Sequence, residues 1–424
     1  MKQRIIDLFK LLGPGIIFAS LCIGETHFAL LTYAGALYGH ALLWMVLMVH
    51  LFYYPLYEFG ARYAVATGDT LIDGYTKTRG GRFLLWVFLA LLFVTPPLIL
   101  GSLVGLTGSV LYAAFPFLDF KIWCLIAFVV TLIIVLSGKY KVLEGINKIL
   151  VLIIIMVAIT AFLVSPPDPG DFLSGLSPSI PAVAGVMIVV VAILRVPTDP
   201  ASSIFLSEWA QQKRGEWLAG EGESKTILLK ALKKSVFDIR LGIILSCLVA
   251  VIFLSVGATV LKPRGIVPEG IEITLKLSEI YTETIGSWIF PVFILAIFAA
   301  FWGGYVSAMD GILRLFKNII RRLFSPGEGT HKTISTVYIL LVTLVGLMLA
   351  TLIQRPMFMV LLALSLGLIN YPLIFIMNTY CVTRQVDKAF RPGKISLLLV
   401  GGGFILGITG LVLLILVRVL KVIS

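Results

Sequence analysis

The sequence predicts an all-α polytopic membrane protein of eleven transmembrane helices, two inverted repeats of five spans plus one additional helix. Three observations predict it. Hydrophobic residues make up 59% of the chain and charged residues 13%, with a mean hydropathy of +1.04, whereas soluble domains are roughly 45–50% apolar. Apolar runs of about 20 residues, long enough to cross a hydrocarbon layer of ~30 Å, recur from end to end. Two of those runs, the first and the sixth, carry helix breakers at mid-depth: Gly24-Glu25-Thr26-His27 and Pro197-Thr198-Asp199-Pro200. Interruptions at matching places in two halves mark an inverted repeat with a solute site between them.

The spans are expected at 13–37, 41–66, 83–112, 122–138, 142–165, 182–210, 237–261, 286–313, 333–353, 357–383 and 395–418. Residues 1–165 then form the first repeat, 166–383 the second, and 384–424 carry the additional span. The first run lacks a small-residue cleavage site and reads as a retained span. Cys22, Cys124, Cys247 and Cys381 are dispersed, so neither a disulfide framework nor a cysteine metal site is suggested. Placing the N-terminus in the cytoplasm puts most of the 34 Lys and Arg on that side, which predicts N-in, C-out orientation in a cell membrane. The basic stretch Lys225 to Arg240 is expected along the cytoplasmic surface against anionic lipid. No nucleic-acid motif accompanies the net charge of +12. The expected partners are therefore the bilayer, a small solute or cation, and a coupling proton or Na⁺, with no cofactor and no obligate protein partner.

Unwound backbone inside lipid survives only where protein or a water-filled cavity satisfies its freed N–H and C=O groups. The two breaks therefore predict unwound segments of spans one and six facing a common polar site. Glu25 can coordinate a cation, hold a proton, bind an ammonium, or pair with Arg195. His27 suits metal coordination, proton acceptance or hydrogen-bonded packing. Thr26, Thr198, Ser202 and Ser203 offer hydroxyls or simply pack helices. Asp199 either coordinates a cation or caps the half-helix that follows. Arg195 is either an internal counter-ion or a fork for a substrate carboxylate. Glu58 and Arg62, spaced i, i+4, read as a structural pair or inner gate, and Asp310 as a cavity residue or partner of Arg314. His50 reads as a proton relay or a packing residue.

Several segments resemble the NRAMP metal-ion transporters, whose fold is that of the bacterial leucine transporter. They are GPGIIFASLCIGETHFALLTYAGALYGHALLW (13–44), ARYAVATG (61–68), GKYKVLEGINKILVL (138–152), LSPSIP (176–181) and SLGLINYPLIFIMN (365–378). The resemblance implies alternating access, and a bent tenth span that brings Asn370 to the site as a carbonyl ligand. In the family, Asp-Pro-Gly-Asn in the first span and Met-Pro-His in the sixth supply metal ligands. Aligned on these motifs, Gly24 stands at the Asp position, His27 at the Asn, Val196 at the Met and Thr198 at the His. Conventional Mn²⁺ or Fe²⁺ selectivity is thereby put in question.

Two transport readings follow. In one, Glu25 and Arg195 meet the opposite charges of a small organic or zwitterionic solute, which the site chemistry favours. In the other, Glu25, Thr26, His27 and Asp199 serve a divalent cation, and loss of the soft sulfur shifts preference toward harder ions such as Mg²⁺. Glu25 and His27 as an enzymatic acid–base pair lack any accompanying hydrolase or phosphate-binding motif.

Overall fold

A computed structural model describes residues 12–183, 185–218, 223–267 and 289–416, apart from the side chains of residues 24, 25, 29, 161, 164, 289, 356, 357, 364, 365 and 369. Among the described residues there is no strand. The chain enters α1 (Pro14–Tyr38) at a Gly-Pro step and leaves it at Gly39, whose φ of +64° is open to glycine. Next come α2 (Leu43–Thr67), a short helix Leu71–Thr76 opened by a Thr70/Asp73 capping box, α3 (Gly81–Ala114), α4 (Phe120–Leu136) and α5 (Tyr140–Val164). The second half contains α6 in two pieces (Val186–Ile193 and Ser202–Leu218), α7 (Lys225–Val256), α8 (Ile289–Phe324) and α9 (Glu328–Ile353). It ends with α10, broken by a 3₁₀ turn (Pro356–Gly367, Leu368–Asn370, Tyr371–Arg384), and α11 (Lys394–Leu414).

Seven of the described helices are long and apolar enough to cross a membrane: α1, α3, α5, α7, α8, α9 and α11. Large apolar side chains such as Phe83, Ile149, Leu163, Leu341, Ile395 and Leu398 stand exposed on their outer faces. Lipid tails cover such faces at no cost, which is why these helices need a polar outer face only beyond the bilayer.

The stretch expected to lie along the cytoplasmic surface is continuous with the apolar part of α7. No proline separates Lys225 from Val256, and the backbone runs on through Gly242 as 32 residues of continuous helix. At ~1.5 Å per residue this is about 48 Å, longer than the hydrocarbon layer. Its basic turns are tied to neighbouring protein, with Lys234 Nζ 3.0 Å from Trp217 O and Lys225 Nζ 3.2 Å from Asp387 Oδ1.

Helices α1 and α7 touch backbone to backbone at two levels. A Cβ on Gly15 would sit 2.1 Å from Asp238 O, and one on Gly242 2.2 Å from Gly15 O. Toward the other end, a Cβ on Gly35 would meet Leu254 O at 2.1 Å and one on Gly257 would meet Thr32 O at 2.2 Å. Asp238 also caps the start of α1, accepting from Gly13 N (3.1 Å) and Gly15 N (2.9 Å). In lipid, where helices gain nothing by hiding apolar surface from each other, such close approach supplies the packing energy. Gly242→Leu is accordingly predicted to cost at least 1–3 kcal/mol, roughly the overpacking range, read as a lowered midpoint for thermal unfolding in detergent; an unchanged midpoint would contradict this packing.

Candidate functional site

Helix α6 stops at Ile193 and restarts at Ser202 because Pro197 and Pro200 lack the N–H groups that a continuous helix would need. The break frees carbonyls, and three of them find side-chain donors on neighbouring helices. Tyr53 and Tyr57, one turn apart on α2, donate their hydroxyls to Leu194 O (2.8 Å) and Thr198 O (2.6 Å). Thr26 of α1 donates to Pro197 O at 2.7 Å and also lies on Cys22 O. The sixth-span break is thus where the sequence placed it, and α1 meets it directly.

The first break takes a different form. Residues Ile23–Leu31 form a π-helix, so α1 carries through without unwinding. Its wider i→i+5 winding changes the register of the side chains and commonly marks functional stretches of helices. Breaking the backbone is unnecessary because the π turn can keep its bonds internal.

Arg195 is buried, 1% exposed, and its guanidinium is spent inside the protein. Nη1 donates to Ala363 O of α10 at 2.7 Å, and Nη2 pairs with Asp199 Oδ2. Asp199 Oδ1 accepts from Ala201 N at 2.8 Å, the cap-like contact at the entry to the second half of α6. Arg195 Nε is left without a partner. Helix α10 crosses this pair at Gly367, where a Cβ would come within 2.3 Å of Arg195 Nη2 and 2.4 Å of Asp199 Oδ2.

A cavity of about 80 Å³ lies at this meeting point. Thr26, Arg195, Thr198, Asp199, Ser202 and Asn370 form its polar side; Phe88, Leu91, Leu92, Thr95, Pro96, Ile99 and Leu103 of α3 line an opposing side that sequence reading did not anticipate. Asn370 sits on the 3₁₀ turn of α10, 6% exposed, and its Oδ1 has no hydrogen-bond partner. Thr198 Oγ1 and Ser202 Oγ are 3.4 Å apart.

Several expected residues lie elsewhere. Val196 is buried off the cavity, and Ser203 is held by Pro200 O (2.6 Å) and Asn378 Nδ2 (2.7 Å). His27 has both ring nitrogens engaged, by Thr26 Oγ1 (2.9 Å) and Ser246 Oγ (2.6 Å), leaving no lone pair for a metal. Glu58 pairs with Arg62 and takes the Tyr54 hydroxyl, while Arg62 Nη1 reaches Phe390 O at 2.7 Å. Asp310 pairs with Arg314 at 2.6 Å and accepts from Trp209 Nε1 at 2.9 Å, outside the cavity. Gly24 is within the π-helix, and the side chain of Glu25 lies outside the described residues. Among the described residues no three His, Cys, Asp or Glu side chains cluster at metal-binding distance.

The natural resistance-associated macrophage protein-like family profile matches residues 15–418. The chain belongs to the Nramp family. Its similar relatives include an uncharacterized protein of Pasteurella multocida, 26% identical over 76% of this chain and 73% of that one. Another is the divalent metal cation transporter MntH of Mycobacterium leprae, 25% identical over 74% of each chain. The manganese transporter of Eremococcus coleocola, solved with an aromatic bis-isothiourea compound, superposes with a TM-score of 0.73 at 15% identity, covering 96% of this chain and 87% of that one. A nucleobase-cation-symport-1 transporter in a closed conformation follows at a TM-score of 0.59 and 13% identity, covering 96% and 91%. Membership makes the chain a multi-pass membrane transporter with the leucine-transporter-like fold. Removing the Tyr57 hydroxyl (Tyr57→Phe) would leave Thr198 O buried and unpaired, a change predicted to cost roughly 1–3 kcal/mol of stability; equal unfolding midpoints for variant and wild type would refute that role.

Proposed function

We propose that this Nramp-family chain is a secondary active transporter whose cargo is a divalent cation, bound between α1, the break of α6 and the turn of α10. The supporting observation is Asn370 Oδ1, a buried carbonyl oxygen lining the cavity with no donor to satisfy it. A buried acceptor left unpaired is costly, and a cation relieves that cost. With Thr198 and Asp199 it makes an oxygen-rich donor set, suited to hard or intermediate ions such as Mg²⁺ and Mn²⁺ more than to thiophilic ones. The names of the relatives, a divalent metal cation transporter and a manganese transporter, point the same way.

The organic-solute reading loses its main support because the Arg195 guanidinium is neutralised by Asp199 and not held open for a carboxylate. One observation still favours it, the unpartnered Arg195 Nε at the cavity wall. The two readings predict opposite ligands. Alternating access would move one repeat (1–165) against the other (166–383), with 384–424 as an appendage. In this reading α2, α4, the two pieces of α6 and α10 also cross the bilayer and bring the count to eleven, with the N-terminus inside and the C-terminus outside the cell membrane.

Purified protein in liposomes should take up Mn²⁺ or Mg²⁺, and Asn370→Leu should weaken apparent affinity about tenfold, the ~1.4 kcal/mol attributable to one lost oxygen donor. Uptake of a zwitterion such as an amino acid, with no divalent-cation uptake, would reject the cation reading in favour of the other.

A further inference from the structure

A row of hydrogen-bonding groups leaves the central cavity at Thr26 and ends beside a second opening. His50 Nδ1 lies 2.8 Å from Val46 O, and His50 Nε2 lies 3.2 Å from Ser246 Oγ. Ser246 Oγ lies 2.6 Å from His27 Nε2, His27 Nδ1 lies 2.9 Å from Thr26 Oγ1, and Thr26 Oγ1 lies 2.7 Å from Pro197 O. Thr26, His27, Ser246 and His50 are all buried or nearly so, on α1, α7 and α2. His50 lines a cleft of about 320 Å³ between α2 and α7, with Leu51, Tyr54, Arg240, Ile244 and Cys247.

Both ends of the row are carbonyl oxygens, which only accept. Five gaps of hydrogen-bond length lie between them. In their neutral forms His50, Ser246, His27 and Thr26 each bring one hydrogen, four in all. One gap therefore lacks a hydrogen unless the row holds an additional proton. Tautomers follow from the partners. Val46 O takes the His50 Nδ1–H, and the carbonyls of Pro197 and Cys22 claim the Thr26 hydroxyl hydrogen, so His27 Nδ1–H donates to Thr26 and Ser246 donates to His27. The missing hydrogen falls at the longest gap, between His50 Nε2 and Ser246, next to the cleft.

We propose that Thr26, His27, Ser246 and His50 form a proton-binding chain, which takes one proton from the cleft at His50 and carries its charge to the edge of the central cavity. On uptake an N–H bond forms at His50 Nε2 and donates to Ser246 Oγ. That bond then breaks as Ser246 Oγ accepts the proton, while the Ser246 O–H breaks in favour of an N–H at His27 Nε2. Atoms and electrons are conserved, and the positive charge moves from one imidazole to the other. Its use as a coupling charge rests on the cation-transport reading, since a proton on His27 repels a cation in the cavity; the proton binding itself does not.

Among the described residues the titratable or charged groups around the chain include the Glu58–Arg62 pair, whose carboxylate takes the Tyr54 hydroxyl. Cys22 of α1 faces Ser246 and adds only a weak S–H contact. Tyr54 and Arg240 bond each other at 2.7 Å on the cleft wall, Cys247 lies beside them, and the Arg195–Asp199 pair stands across the cavity. Glu25 lies two positions before His27 in the chain.

The test is ¹⁵N-histidine NMR of the full chain in detergent, with no divalent cation present, titrated from mildly alkaline to acidic pH. His40 and His331 are assigned by His40→Gln and His331→Gln. The expected result is a single added proton shared by His27 and His50, whose ring signals move together; Ser246→Ala abolishes the joint movement. Two separate one-proton titrations in the wild type, no imidazolium on either ring while the protein stays folded, or joint movement persisting in Ser246→Ala would each overturn the proposal. Should Ser246→Ala not fold, the wild-type spectrum decides. Because cations are absent, failure of the transport reading leaves this result intact.

Discussion

Lipid offers no hydrogen bonds, so every backbone group released where α6 loses its helix must be satisfied by another part of the protein. That constraint fixes the centre of the molecule. Pro197 O needs a donor, and Thr26 supplies it from α1; Leu194 O and Thr198 O draw Tyr53 and Tyr57 from α2. Those contacts hold α1 and α2 to α6, and the cavity beside them is lined from α1, α3, α6, α8 and α10. Close packing of Gly15 against Gly242, and of Gly35 against Gly257, then ties α7 to α1 on the far side and brings Ser246 within reach of His27.

Among the described residues of the site, Arg195 and Asp199 balance each other's charge. A buried guanidinium beside a cation site would be strongly repulsive in a low dielectric. Pairing Arg195 with Asp199, with Ala363 O on another nitrogen, removes most of that penalty and braces the α6 break against α10. Gly367 is what permits the arrangement, since any side chain there would strike both partners. The cavity is lined mainly by apolar groups, and among its few polar ones Asn370 Oδ1 remains an unsatisfied acceptor.

Much of this was legible in the sequence, for reasons specific to certain residues. Pro197 and Pro200 each remove a backbone donor on either side of Thr198-Asp199, which made the sixth-span break legible, although Pro96 and Pro97 are carried inside the continuous α3. Glu58 with Arg62 and Asp310 with Arg314 follow from i, i+4 spacing alone. The first break misled because Gly24 weakens a helix without dictating how the backbone responds, and a π turn is one response. Arg195 and Asp199 share the same i, i+4 spacing, and it favours the counter-ion role of Arg195 over the substrate fork. Ser246 carried no signal: a lone serine in an apolar span commonly packs against a neighbouring helix, and only the fold brings it between two histidines. The apolar wall from α3 was equally silent, because Leu91 or Ile99 in a lipid-length run looks the same facing a cavity or a lipid.

The most direct measurement is anomalous X-ray scattering from crystals of the full chain grown with Mn²⁺. The account predicts a peak within coordination distance of Asn370 Oδ1, in the gap between the α1 π turn and the α6 break. Well-ordered crystals at saturating Mn²⁺ with no anomalous peak there, or with peaks only at the protein surface, would contradict it.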